Sequence, residues 1–345
     1  MSTVTPNGWG LRPPTLGDAA AMAEVANAAS QALYGQDQVA EERVRNWLSA
    51  SDRDLEFGIR LLVDRESRVI GWAEADDPGE PHVLIEARLA VHPAVADQPE
   101  AWDALLRWLE SRARSFIPNA PEGTRIALTV DAATVDTPRI TALERFGASR
   151  VRVMNRMRID LGEALLQSPA WPNGVVLRTL DPEVDLRVLG EASQEVFRDH
   201  WGMVEQSVDE EMRSWREWID SQGEGFDRTL SFLAVAPHSE RSGCDVVAGF
   251  SLCRPNMPGS VDLGILGSLG VRPAWRGQGL GLALITHSFG EFHRRGYQAV
   301  ELVVDTGSLT GALRLYERAG MRPIRQQFVY EKELRPGQDL VKREL

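Results

Sequence analysis

The chain has 345 residues, 43% of them hydrophobic and 26% charged, and a formal net charge of −12. That length suits two domains of ordinary size, and the acidic balance argues against nucleic acid, whose backbone wants basic stripes. No apolar run approaches a membrane span, the opening residues do not read as a secretory leader, and two cysteines make neither a disulfide framework nor a metal cluster.

The expected location is therefore the cytoplasm. From the amino end, residues 10–18 precede an alanine-rich helical run, and residues 61–63 and 69–72 read as a hairpin. Leu89-Ala90-Val91-His92-Pro93 closes a strand, and residues 139–146 read as a short helix stopped by Gly147. Residues 164–174, with Pro169, Pro172 and Gly174, read as a linker between a first domain over 1–163 and a second over 175–345. The plan then repeats. Residues 176–181 precede another helical run, and residues 233–235 and 246–250 repeat the hairpin. Leu269-Gly270-Val271-Arg272-Pro273 repeats the strand end at an offset of 271 − 91 = 180. Two copies of one plan indicate a duplicated domain.

The copies part at the next turn. In the second, Arg276-Gly277-Gln278-Gly279-Leu280-Gly281-Leu282 joins the strand to an amphipathic run over 282–295. Glycines let main chain approach an anion, a helix amino end offers unpaired N–H groups, and Arg276 adds a fixed charge. The turn lacks the Gly-Lys-Ser/Thr of a P-loop, and Leu282 breaks a dinucleotide fingerprint. In the first copy the turn reads Ala94-Val95-Ala96-Asp97-Gln98-Pro99-Glu100, with no glycine, a proline without an N–H and two carboxylates that repel phosphate. Further on, residues 299–305 read as a strand, 306–308 as a turn, 311–319 as a helix stopped by Gly320, and 325–334 as a last strand. Cys244 and Cys253 fall in or near strands and read as small buried hydrophobes; the six histidines have no metal spacing, and no metal is expected. Trp215 and Trp218 read as one packing face, Glu301 as a solvent-facing or paired strand charge, and Arg294 and Arg295 as helix-end cations that could reach a phosphate.

Arg276, Gly279 and Gly281, behind Val271 and Pro273, resemble the acyl-CoA loop of the GNAT superfamily of acetyltransferases. Ala312, Tyr316, Gly320 and Met321 match that superfamily's second signature, whereas Leu143 stands where the first copy would carry the tyrosine. The order of elements resembles tandem GNAT proteins such as mycothiol synthases, with a silent first domain and an active second one. The resemblance implies an α/β (α+β) fold of two GNAT-like domains, each a mixed, mostly antiparallel twisted sheet flanked by helices. It implies an N-acetyltransferase that moves an acetyl group from acetyl-CoA to the primary amine of a small molecule by direct attack. Narrower options are a mycothiol synthase proper or an antibiotic or natural-product acetyltransferase; a non-catalytic acyl-CoA-binding assembly protein is the option from another class.

The resemblance also implies site residues. Leu269, Gly270 and Val271 would lie along the pantetheine arm, Gly277, Gln278, Gly279, Leu280, Gly281 and Leu282 with Arg276 at the diphosphate, and Ser308 where relatives carry Asn. Gly270 is expected to form a bulge that frees the Val271 N–H for the thioester oxygen. Tyr316 is the expected acid for the departing thiolate. The base stays open between Asp262, at the start of the strand, His200 in Asp199-His200-Trp201-Gly202, and a water chain. The oligomeric state, monomer or homodimer, is open too.

Overall fold

In the computed structural model the described residues are 7–50, 54–77, 79–162, 169–198, 200–204, 206–222, 226–236, 246–256, 261–307 and 311–343. In chain order the elements are β1 (Gly10–Arg12), α1 (Ala19–Tyr34), α2 (Glu41–Ser49), β2 (Ile59–Val63), β3 (Val69–Asp76), β4 (Leu84–Val91), α3 (Pro93–Ala96), α4 (Pro99–Ser115), β5 (Ile126–Ala133), α5 (Thr137–Arg145) and β6 (Ser149–Asp160). They continue with β7 (Val176–Thr179), α6 (Leu186–Phe197), α7 (Val208–Gln222), β8 (Ser231–Ala236), β9 (Val246–Pro255), β10 (Leu263–Val271), α8 (Leu280–Arg294), β11 (Ala299–Asp305), α9 (Ala312–Arg318) and β12 (Arg322–Arg335).

The chain forms two compact units, one of Met1–Val153 with Gln327–Leu340 and one of Met154–Gln326 with Val341–Leu345. This division differs from the split at 163 and 175 read from the sequence. Most of β6 pairs with β11 inside the second unit, and the latter part of β12 pairs with β5 inside the first. Each unit thus takes its last strand from the other half of the sequence. Of the linker segment, residues 163–168 lie outside the described residues.

Within the first unit the strand order is β1-β2-β3-β4-β5-β12, and β4–β5 is its parallel pair. Within the second it is β7-β8-β9-β10-β11-β6, and β10–β11 is the parallel pair. The other named pairings are antiparallel. Both units carry a register shift at the matching place of the hairpin, between Leu62 and Val63 and between Ala234 and Val235.

The period-2 alternation of strands explains the layers. β8 is buried at every position. Its Leu233 and Val235 pack with α6 and α7, while Ala234 and Ala236 pack with Leu280 and Leu284 of α8. In the first unit Ile59 and Leu61 pack with α1 and α2, whereas Gly71 lies against Leu105 of α4. Each entry strand is latched to its first helix by a bidentate ion pair, Arg12 to Asp18 and Arg178 to Asp185, the latter with contacts of 2.5 and 2.7 Å. The Arg12 guanidinium holds the Asp18 carboxyl at about 2; burial raises the Asp185 carboxyl, but the Arg178 hydrogen bonds, the Asp181 N–H and the Arg178 charge together lower it. Among the described residues no helix is long and apolar enough to cross a membrane.

Candidate active site

β10 is where the second unit departs from the first. Its parallel ladder with β11 runs from Leu263↔Ala299 to Ile265↔Glu301 and ends there. Its antiparallel register against β9 slips between Leu266 and Ser268, so Gly267 is a bulge. The expected bulge at Gly270 is not found: Gly270 pairs in register with Phe250. Its lack of a side chain has another cause, since a Cβ there would lie 2.5 Å from the Phe250 ring and 3.0 Å from Val196. The matching strand β4 pairs with β3 without a slip, and Ala87 stands where the second copy has Gly267.

The bulge and the lost ladder open a fork between β10 and β11. The Arg272 N–H donates to the Ala248 carbonyl at 3.0 Å, in register with Val271↔Gly249 and Gly270↔Phe250. Hydrogen-bonded antiparallel pairs alternate. Residues 272 and 270 therefore spend their main-chain groups on β9, and Leu269 and Val271 turn theirs to the fork. By this alternation the Val271 N–H, expected from the sequence to meet the thioester oxygen, points to the fork.

At the mouth of the fork, Gly277 and Gly279 take left-handed conformations (φ 75° and 85°) that any side chain would strain. Gly279 caps α8 without a side-chain bond, and the first turn of α8 holds no acidic residue. Its orphan N–H groups and the positive end of its dipole are left to an incoming anion. The helix begins at Leu280, two residues before the sequence expectation, because Gly279 makes the turn. In the first unit Pro99 sits at the start of α4, Glu100 lies in its first turn, and α3 fills the connection. The fork there is filled too. Beyond the last parallel pair, Ala87↔Val130, the Arg139 guanidinium spans it with hydrogen bonds to the Leu89 carbonyl (3.0 Å) and the Asp131 carbonyl (3.2 Å).

A cleft of about 570 Å³ follows the open fork of the second unit. Leu269, Val271, Arg276, Gly277, Gly279, Leu280, Gly281 and Leu282 line it, with Tyr316 and His200. Gly270 and Gln278 do not; the Gln278 amide donates to the Ala274 carbonyl at 3.2 Å. Asp262 is exposed, precedes β10 and is not among the lining residues. It is roughly 20 Å along the strand from Ser268, at about 3.3 Å per residue. Ser308, Asp199 and Cys244 lie outside the described residues. Arg276 lines the mouth but folds back: its Nε donates to the Val271 carbonyl (3.1 Å) and its NH2 to the Val196 carbonyl (3.2 Å). It ties the end of β10 to the end of α6. Arg294 and Arg295 sit at the far end of α8, committed to Glu291 and Asp227.

Tyr316 is buried, with its ring in a cluster that includes Ile285, Phe289, Val304 and Met321. Burial pushes its phenol up to about 12. Phe197, His200 and Trp201 also line the cleft, with the His200 and Phe197 rings 4.9 Å apart. Their loop is braced by the chain end: the Gly202 N–H donates to the Lys342 carbonyl (3.0 Å) and the Lys342 N–H to the Met203 carbonyl (2.9 Å). The Arg343 guanidinium lies 5.4 Å from the Trp201 ring centre. Sequence reasoning missed that brace, and missed Trp275, Asp305, Arg314 and Arg318, which also line the cleft. A helical arginine carries no local mark of a cleft beside it.

The other side-chain readings resolve as packing. Glu301 is paired with Arg156 and Arg158, at 3.1 Å each. Trp215 and Trp218 stack edge to face and pack against the α6 cluster. Cys253 is fully buried in β9, its thiol lifted to about 11 by burial. Among the described residues no group of His, Cys, Asp and Glu is placed to hold a metal ion.

Comparison with known proteins agrees with this geometry. The model of the acetyltransferase (GNAT) family matches residues 193–321, which span the open fork, α8 and α9. A mycothiol acetyltransferase of Thermomonospora curvata is 30% identical over 277 residues, 79% of this chain and 82% of that one. A mycothiol acetyltransferase of Streptomyces avermitilis is 26% identical over 87% of each chain. Among solved structures, a GCN5-related N-acetyltransferase from Sphaerobacter thermophilus is 29% identical with a TM-score of 0.82, over 97% of this chain and 98% of that one. A tandem GNAT protein from the clavulanic acid biosynthesis pathway shares the fold at 16% identity, with a TM-score of 0.68 over 96% and 100% of the two chains. The chain belongs to the GNAT family of acetyltransferases and has its tandem architecture.

Proposed function

We propose that the second unit transfers an acetyl group from acetyl-CoA to the primary amine of a small molecule by direct attack. The observation that carries this reading is the open fork, which runs from the bare amino end of α8 past the outward main-chain groups of Leu269 and Val271 to Tyr316. A diphosphate fits the first, an extended amide-bearing arm the second. When bound, acetyl-CoA supplies an activated acyl carbon and a thiolate leaving group. The Val271 N–H holds the carbonyl oxygen as it gains charge. His200, at the acceptor end, takes the proton that the amine loses. Tyr316 returns a proton to the sulfur as the C–S bond breaks and the C–N bond forms. Asp262 has no part, because it stands outside the cleft. Cys253 is sealed in the sheet and does not line the cleft, which disfavours an acyl-enzyme route through it.

The named relatives favour an amine of the mycothiol-precursor type. Release of free thiol from acetyl-CoA, followed over a panel of that precursor, aminoglycosides, polyamines and amino acids, tests both levels. Turnover with the precursor supports the narrow reading, and turnover with another amine the broad one alone. No turnover with any member, together with saturable acetyl-CoA binding, would favour a binding or assembly role.

A further inference from the structure

We propose that Arg314 and Arg318 bind the ribose 3′-phosphate of the donor, so that the second unit selects 3′-phosphorylated CoA thioesters over their dephospho forms. This rests on the acyl-CoA reading above. The two arginines are four residues apart on α9, so they share one face. Both are exposed, and both line the cleft. Among the described residues neither has a carboxylate in ion-pair range. Other arginines nearby in sequence are committed, Arg322 to Asp160 at 2.7 Å and Arg294 to Glu291 at 2.6 Å.

Their position is fixed by the residue between them. A Cβ at Gly281, in the first turn of α8, would lie 3.1 Å from Leu315. Leu315 thus packs on the helix end assigned to the diphosphate, which sets α9 beside it, and Arg314 and Arg318 share the neighbouring face of α9. In coenzyme A the 3′-phosphate is carried by the ribose whose 5′ oxygen carries the diphosphate. A second dense anion therefore follows the first at the distance of one sugar. Arg314 also lies in the first turn of α9, where the helix dipole opposes a cation and no acidic residue offsets it. The amino end of α8 and two guanidinium groups without an ion-pair partner among the described residues line the same cleft, in a chain whose net charge is −12. Forked donors of this kind match a phosphate dianion.

Calorimetric titration of the full chain with acetyl-CoA and with acetyl-3′-dephospho-CoA tests this. The wild type is expected to bind the dephospho ligand about tenfold or more weakly, the scale of one charge-assisted contact. The double variant Arg314→Ala, Arg318→Ala is expected to bind the two ligands alike, with the wild-type affinity for the dephospho form and an unchanged melting midpoint. Arg318→Gln alone, which keeps the helix, is expected to lose part of the preference. Equal affinity of the wild type for both ligands overturns the inference and leaves the acyl-CoA reading standing, as does a preference that survives the double variant. Binding of neither ligand by the wild type overturns both.

Discussion

Tyr316 carries its proton firmly because its surroundings are apolar. At about 12 the phenol is a poor acid in water, but a thiol formed beside it in an apolar surrounding is raised as well, as burial lifts the Cys253 thiol to about 11 against the hydrogen bonds of Ser251 and Ser288. The transfer is therefore closer to balanced than reference values suggest. Tyr316→Phe is expected to keep acetyl-CoA affinity and to lower kcat about 100-fold, read by thiol release. A phenol whose pKa is raised stays protonated below that value, so wild-type kcat is expected to show no alkaline loss from this group up to pH 10. A falling limb near pH 9 that Tyr316→Phe abolishes would contradict the burial. The glycines of β10 make a second comparison. Gly270→Ala drives a methyl into the buried Phe250 ring and is expected to cost ~1–3 kcal/mol. Gly267→Ala meets Leu252 and Trp218 at 3.5 and 3.7 Å, ordinary contact, and is expected to melt near the wild type. Similar melting of the two would contradict the assignment.

At the scale of elements, the local signals were the legible ones. The glycine turn, the presence of α8 after it and the short helix with Tyr316 follow from side-chain conformational limits within a few residues, although α8 begins two residues earlier than read. β11 was read at its observed bounds. The glycines within β10 were ambiguous, since a strand glycine marks either a bulge or a close approach. Gly264 and Gly270 make room for the rings of Phe292 and Phe250, and only Gly267 is the bulge. Arg276 was legible as a loop residue but not as a latch, because its partners Val271 and Val196 are main-chain carbonyls. Strand partners were the least legible. A period-2 pattern states which face is buried and says nothing about which strand lies alongside. The pairing of β6 with β11 and of β12 with β5 therefore had no sequence mark.

For the whole molecule, duplication has left two versions of one plan with opposite fates. Both units keep the arginine–aspartate latch, the shifted hairpin and a parallel pair at the matching place among the named strands. The second has glycine at the bulge and at the cap of α8. The first has Ala87, a proline-led helix and the Arg139 guanidinium across the fork. An internal side chain there satisfies carbonyls that an acyl-CoA arm would otherwise meet. The sequence showed the lost loop of the first copy but not this plug, which needs the approach of Leu89 and Asp131. Isothermal titration of the purified full-length chain with acetyl-CoA bears on all of this at once. One equivalent per chain with saturable heat is the expected result; no heat, or two equivalents, would contradict a single open fork in the second unit.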